Sequence, residues 1–300
     1  MRVGVSYSHR RARYLGLDPI ASFAKVAAMG FSPLRISTYW NEVASEGYGA
    51  LDALVSAAER AEAKVVLTVG MKAMRWPEFF VPSAISPSER PERLLEFVSS
   101  TVRRYRGSRA LEAWQVENEP RNRSGPVRAL VPMRLLREEM ALVRELDSRP
   151  RIINAFFHFA DPLDWLSQPW PWKPASSDII PLLGSDDVFG VDVYPFAPFT
   201  LGMVRWQSRA RTNWPAKAGR LRSAAYSVGA EAWVVEAQAE PWPPGSFEPE
   251  DMTRVFEGIR AAGFTTVLLW GCEYWLERDA EGDPRWLSQA NTILQSAGSV

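Results

Sequence analysis

Cysteine occurs once, at Cys272, and histidine only twice, at His9 and His158. A lone thiol closes no intramolecular disulfide, and none of these residues falls at zinc-ligand spacing, so neither a disulfide framework nor a histidine-rich metal site is expected. Long apolar runs are missing too. No segment is long enough to span a bilayer, and Met1 is followed at once by the strand-like Arg2-Val3-Gly4-Val5-Ser6-Tyr7 rather than by the apolar core of a signal peptide. The expectation is a cytoplasmic protein with no membrane partner. An excess of charge of one sign is equally absent: 35 basic and 35 acidic residues give a formal net charge of zero, and the two signs are mixed along the chain. Nothing provides the basic face that a nucleic-acid partner requires.

Tryptophan (13 residues) and proline (23 residues) are abundant, and the basic residues are overwhelmingly arginine. Short β-branched runs alternate with longer amphipathic stretches. The runs are Val3–Tyr7, Leu34–Ser37, Lys64–Val69, Glu112–Val116, Arg151–Ala155, Val188–Val193, Ala232–Val235 and Thr266–Trp270. Helical patterns lie between them at Asp18–Met29, Leu51–Ala63, Ser88–Tyr105, Pro126–Leu146, Met203–Val228, Pro249–Ala262 and Pro284–Ser296, with a short one at Ser176–Leu183. Asp18-Pro19 reads as a cap and first-turn proline, and Gly30 as a stop. Eight strand–helix units with same-handed crossovers close most economically as a single α/β domain over residues 1–300, a (β/α)8 TIM barrel. The alternative, an open doubly wound sheet, normally carries a glycine-rich turn after its first strand, where this chain has Ser6-Tyr7-Ser8-His9-Arg10.

In such a barrel, chemistry sits where strands end. The fourth run ends in Glu117-Asn118-Glu119-Pro120 and the seventh in Glu236-Ala237-Gln238-Ala239-Glu240-Pro241-Trp242. Carboxylates at the ends of strands four and seven face each other across the barrel mouth. A retaining glycosidase needs such a pair about 5–5.5 Å apart, one as nucleophile and one as acid and then base. A protein with this pair is expected to act on a β-linked glycoside or oligosaccharide without cofactor or metal. The competing readings are a carbohydrate-binding barrel without catalysis and a metal-dependent barrel enzyme such as a sugar isomerase.

These motifs resemble clan A of the glycoside hydrolases, the barrel group that includes family 5 cellulases and mannanases, and the resemblance runs the length of the chain. It implies that Glu119 is the acid/base and Glu236 the nucleophile. It further implies that Asn118 binds the sugar 2-hydroxyl, Arg35 and Tyr194 support the nucleophile, and Trp270 floors the sugar subsite. The strand-seven motif Glu-Ala-Gln-Ala-Glu-Pro-Trp departs from the Glu-Phe-Gly or Glu-Tyr-Gly of many members, so Glu240 stands as a rival nucleophile or a sugar contact.

Other residues fall at strand ends. His9, His158, Lys72, Trp76 and Trp242 are candidate substrate contacts, with Trp40, Trp170, Trp172 and Trp275 as further aromatic candidates on the same face. Arg75 belongs to the Lys72–Trp76 loop, which reads either as a sugar contact or as a salt-bridged cap. Glu117 is either a rival to Glu119 as acid/base or, on the structural reading, buried and paired with an arginine. Trp114 and Trp233 read as core, and Cys272 as an inert packed thiol.

Overall fold

The structure, a computed structural model, describes residues 1–158, 175–196, 198–201, 204–207, 213–241 and 247–298. Eight parallel strands close a barrel in the order β1-β10-β9-β6-β5-β4-β3-β2. They are β1 (Arg2–Ser6), β2 (Leu34–Ser37), β3 (Val65–Val69), β4 (Leu111–Val116), β5 (Arg151–His158), β6 (Asp187–Tyr194), β9 (Glu231–Gln238) and β10 (Thr266–Trp270). All eight expected runs are therefore barrel strands, and those at Arg151 and Ala232 extend further than expected. Helices pack outside. Asp18 caps the helix Pro19–Ala28 by accepting from the backbone N–H groups of Ile20 (2.9 Å) and Ala21 (2.8 Å). Among the described residues, no helix is long and apolar enough to cross a membrane.

The alternation of each strand divides the core. Val65, Leu67 and Val69 of β3 pack in the large layer shared with the helices, whereas Val66 joins Ala113, Ile152, Val188, Trp233 and Val235 in a separate cluster. Above that apolar cluster, the next inward positions are polar: Ser6, Arg35, Gln115, Asn154 and Asp192, all buried. A barrel plugged below by branched side chains and above by a hydrogen-bonded plate is a rigid base for whatever stands on its rim.

Strand β9 carries a local irregularity. Its register against β6 runs Val234↔Val191 and then Glu236↔Asp192, and against β10 it runs Val234↔Val267 and then Ala237↔Leu269. Both neighbours thus meet one extra residue in β9, a β-bulge. Val234 and Ala237 pack in the outer layer while Val235 belongs to the inner cluster. Glu236 also faces inward, onto Arg35. The freed Val235 carbonyl accepts from Ser6 Oγ at 3.0 Å and from Arg35 Nη1 at 3.4 Å. The bulge is what lets two consecutive residues, one packing and one polar, share the interior.

Within the expected helix Met203–Val228, only Trp214–Tyr226 is helical among the described residues; Val204–Gln207 is a strand, β8, paired antiparallel with β7 (Pro198–Leu201). Pro215 in the first turn sets the later start. Three helices escaped the periodicity because they are short inserts after strands: α1 (His9–Tyr14), α3 (Trp40–Glu46) and Cys272–Ala280. They remove two aromatic candidates from the substrate face. Trp40 is buried and stacked on Phe97 with ring centroids 5.5 Å apart, and Trp275 is fully buried, its indole N–H donating to Ala239 O at 2.6 Å. Trp114 and Trp233 are core residues, as expected.

Candidate active site

The C-terminal ends of the strands surround a cavity of about 800 Å³ whose wall includes Asn118, Glu119, Tyr194, Glu236, Glu240 and Trp270. With Trp76 at the rim, seven of the candidate substrate-contacting and catalytic residues thus converge on one space.

Glu236 is 3% exposed, and both of its oxygens are occupied. Arg35 Nη1 donates to Oε1 at 2.7 Å and the Tyr194 hydroxyl donates to Oε2 at 2.7 Å. Arg35 is itself locked. Its Nε donates to Gln115 Oε1 at 2.6 Å, its Nη1 to Ser6 Oγ at 3.2 Å, and its Nη2 to Asn118 Oδ1. A guanidinium held in fixed geometry aims the carboxylate beside it. Asn118 Oδ1 also accepts from Asn154 Nδ2 at 3.2 Å, which leaves the Asn118 amide N–H groups for the cavity.

Glu119 stands where β4 has already ended. It has φ of 44° and Glu117 has φ of 61°, both in the left-handed region that side chains seldom adopt. The turn is held from below. The Glu119 amide donates to Asn154 Oδ1 at 2.7 Å, and the Lys72 ammonium donates to the Glu119 carbonyl at 2.8 Å. Burial is the chief reason that the Glu119 carboxyl is pushed up to about 7; the charges of Glu236 and Glu78 add to the rise, while Lys72 and a hydrogen bond from Asn122 oppose it. The two carboxyls therefore stand in contrasting settings, one clamped by a guanidinium and a phenol and the other burdened by burial and like charge.

Asp192, on β6 opposite Glu236, is a site residue that sequence reasoning missed. One oxygen from each of Glu119, Asp192 and Glu236 lies within 4.8 Å of the other two. Asp192 is fully buried; Oδ2 accepts from Asn154 Nδ2 at 2.8 Å and Oδ1 has no partner. Burial, reinforced by Glu236 and Glu119, holds its carboxyl well above the usual range. Three carboxylates this close can grip a hard cation. Here, however, both Glu236 oxygens are already taken, and an ion would sit against the Arg35 guanidinium. Asn154, the hub joining Gln115, Asn118, Glu119 and Asp192, was also missed. The legible signal for both was a polar residue interrupting an apolar barrel strand.

Several candidates lie elsewhere. Lys72 is fully buried behind Glu119, its ammonium spent on Glu119 O, Asn122 O (3.1 Å), Ser124 Oγ (3.0 Å) and the Glu78 carboxylate (3.2 Å). His9 is buried against Glu42, Nε2 to Oε1 at 2.7 Å, with its ring edge on Tyr39. Neither side chain lines the cavity: the Lys72 ammonium is saturated inside the protein, and His9 is buried with Nδ1 unpaired among the described residues. Trp76 is 73% exposed at the cavity rim. Glu240 is an ion-pair partner of Arg75 at 2.5 Å. The His158 side chain, Trp170, Trp172 and Trp242 lie outside the described residues.

Glu117 is buried as expected, but no arginine pairs with it. Its carboxylate accepts from the backbone N–H groups of Met71 (3.0 Å) and Lys72 (2.6 Å), and it fits only because residue 70 is glycine: a Cβ there would lie 2.5 Å from the Glu117 carboxyl carbon. Cys272 is buried, with its thiol donating to Ser6 O at 3.1 Å.

No protein-family model and no curated protein matches the chain. Solved structures do. GH5_18 from Streptomyces cattleya, in complex with GlcNAc, aligns with a TM-score of 0.66 at 16% identity, over 99% of this chain and 79% of that one. The exo-β-1,4-mannosidase Op5Man5 from Opitutaceae bacterium strain TAV5 aligns at 0.61 and 14% identity, over 99% of this chain, which spans 60% of the mannosidase. A GH10 endoxylanase from a sugarcane soil metagenome aligns at 0.60 and 14% identity, over 98% and 96% of the two chains. At these identities the likeness is one of fold: the chain is built on the same closed (β/α)8 barrel as these glycoside hydrolases.

Proposed function

We propose that the protein is a retaining glycoside hydrolase acting on β-linked glycosides or oligosaccharides, with Glu236 as nucleophile and Glu119 as acid/base. One observation carries this reading: the two carboxyls present oxygens within 4.8 Å of each other in one cavity. Oxygens this close favour the carboxyl separation of about 5–5.5 Å used in double displacement over the about 6.5–9.5 Å that inversion needs to admit a water. The sugar substrates and glycosidase activities of the neighbouring barrels agree with it.

In the first half-reaction, Glu236 attacks the anomeric carbon as the C–O bond to the leaving group breaks, and Glu119 gives its proton to the departing oxygen. Forming the ester removes the Glu236 charge that raises Glu119, so Glu119 then takes a proton from water. That water attacks the same carbon and frees Glu236. Arg35 and Tyr194 hold both oxygens of the nucleophile in place, and Asn118 offers donors to the sugar.

Glu236→Ala should lower turnover of an aryl β-glycoside on the order of 10⁴-fold or more. Azide should partly restore it and yield a glycosyl azide of inverted configuration. Normal activity in this variant, with loss in Glu240→Ala, would reassign the nucleophile. The carboxylate trio also gives a metal-dependent reading one observation in its favour, and activity that vanishes in a chelator would support that reading instead.

A further inference from the structure

Arg75 lies in the loop after β3, and β3 is four strands from β9 around the barrel. Its side chain nevertheless reaches Glu240, beyond the end of β9, with Nη1 to Oε1 at 2.5 Å. It also reaches Glu273, in the helix after β10, with Nη2 to Oε2 at 2.6 Å. The guanidinium therefore crosses the mouth from one side to the other. On the way it lies over the Trp270 indole, 4.0 Å from the ring centroid. The side chain is only 13% exposed, and Glu273 not at all. The far anchor is fitted tightly: Gly271 has φ of 123°, and a Cβ there would come within 2.6 Å of Glu240 Cβ.

This inference rests on the proposed function. If Glu236 bonds to the anomeric carbon and Glu119 protonates the leaving oxygen, the leaving group lies past Glu119, toward Asn122, Ser124 and Phe156 on the cavity wall. The sugar that stays behind lies the other way, toward β9 and β10. That is the side on which Arg75, Glu240, Glu273 and Trp270 stand. The geometry points to Arg75, Glu240 and Trp270, with Glu273 anchoring Arg75 from behind, as an end wall that admits a single sugar beyond Glu236, making the protein an exo-acting β-glycosidase that takes one terminal sugar from the non-reducing end. Its substrates are chains or aryl glycosides whose terminal sugar is unsubstituted, because its distal hydroxyls meet an ion pair rather than open cleft. Two carboxylates hold the guanidinium in place, and displacing it would leave both without their cation, so a second sugar cannot push it aside cheaply.

The test is the first cleavage product from reducing-end-labelled β-linked tri- and tetrasaccharides of the gluco, manno and xylo series. Only the monosaccharide should leave, one unit at a time; early disaccharide or internal cleavage would overturn the proposal. Arg75→Ala should raise the ratio of disaccharide to monosaccharide release by about tenfold or more, equivalent to about 1.4 kcal/mol. Arg75→Met, which still covers Trp270, should keep single-sugar release; a rise as large as that of the alanine variant would contradict a steric wall. Binding separates the wall from the chemistry: titrated into Glu119→Gln, an aryl β-monoglycoside should bind about tenfold more tightly than the matching aryl diglycoside. Equal affinities would overturn the wall even if no cleavage were found, whereas preferential monoglycoside binding without cleavage would sink only the hydrolase reading.

Discussion

Glu119 and Glu236 are the same residue type a few ångströms apart, and their surroundings set them different tasks. With its carboxyl pushed up to about 7, Glu119 is mostly protonated below that pH and ionised above it. A general acid must begin protonated, so kcat/KM should fall as pH rises through about 7. A pH profile on a substrate with a poor leaving group checks this, and Glu119→Gln should abolish the limb. Arg35 fixes its partner by shape as much as by charge, since one guanidinium serves Glu236, Asn118, Gln115 and Ser6. A lysine supplies the charge without the fork, so Arg35→Lys should lower kcat/KM on the order of 10²-fold through misplacement of the nucleophile. Steady-state kinetics with the fold verified by circular dichroism measures it. That Arg35, Asn118, Glu119, Tyr194 and Glu236 would meet was readable because they lie in recognisable motifs on the barrel strands or just past their ends. Asp192 and Asn154 were not, because their roles depend on hydrogen bonds between strands that no single segment displays.

At the scale of elements, the turn after β4 rests on a buried acidic pair. Glu139 of the helix Met133–Leu146 is fully buried, its carboxyl oxygens make no hydrogen bond among the described residues, and the charge that acts on it most is that of Glu117. Burial pushes Glu117 up from 4.5 to about 7, and burial with Glu117 as neighbour raises Glu139. The folded protein thus holds protons that the unfolded chain releases between pH 4.5 and about 7, so stability contributed by this pair falls as pH rises through that window. Glu139→Gln replaces the second acid with an amide donor. It should flatten this decline and raise the melting temperature at pH 8 by roughly 2–4 °C, as thermal unfolding at pH 5 and pH 8 would show. The bulge in β9 was as invisible in the sequence as this pair, because Ala232–Val235 reads as a regular strand whichever way Glu236 points. The strand Val204–Gln207 was lost for a related reason: it sits inside Met203–Val228, a longer stretch that reads at helical spacing.

Over the whole molecule, the eight-strand barrel was legible because each β-branched run is buried on both faces and each intervening helix needs only one apolar stripe. Closure then put strand ends four and seven across one mouth, and this global consequence gives a three-residue Asn118-Glu119-Pro120 segment its meaning. Loops on that mouth, such as the Lys72–Phe80 loop carrying Arg75, were readable only as alternatives. The central claim is that Glu236 forms a bond to the substrate. A 2-deoxy-2-fluoro-β-glycosyl fluoride of the preferred sugar forms such an ester readily and releases it slowly. Peptide mass mapping after incubation should find the label on Glu236 alone, with first-formed hydrolysis products of unlabelled substrate retaining the β-configuration. A label on Glu240, or no label together with α-configured products, would contradict the account.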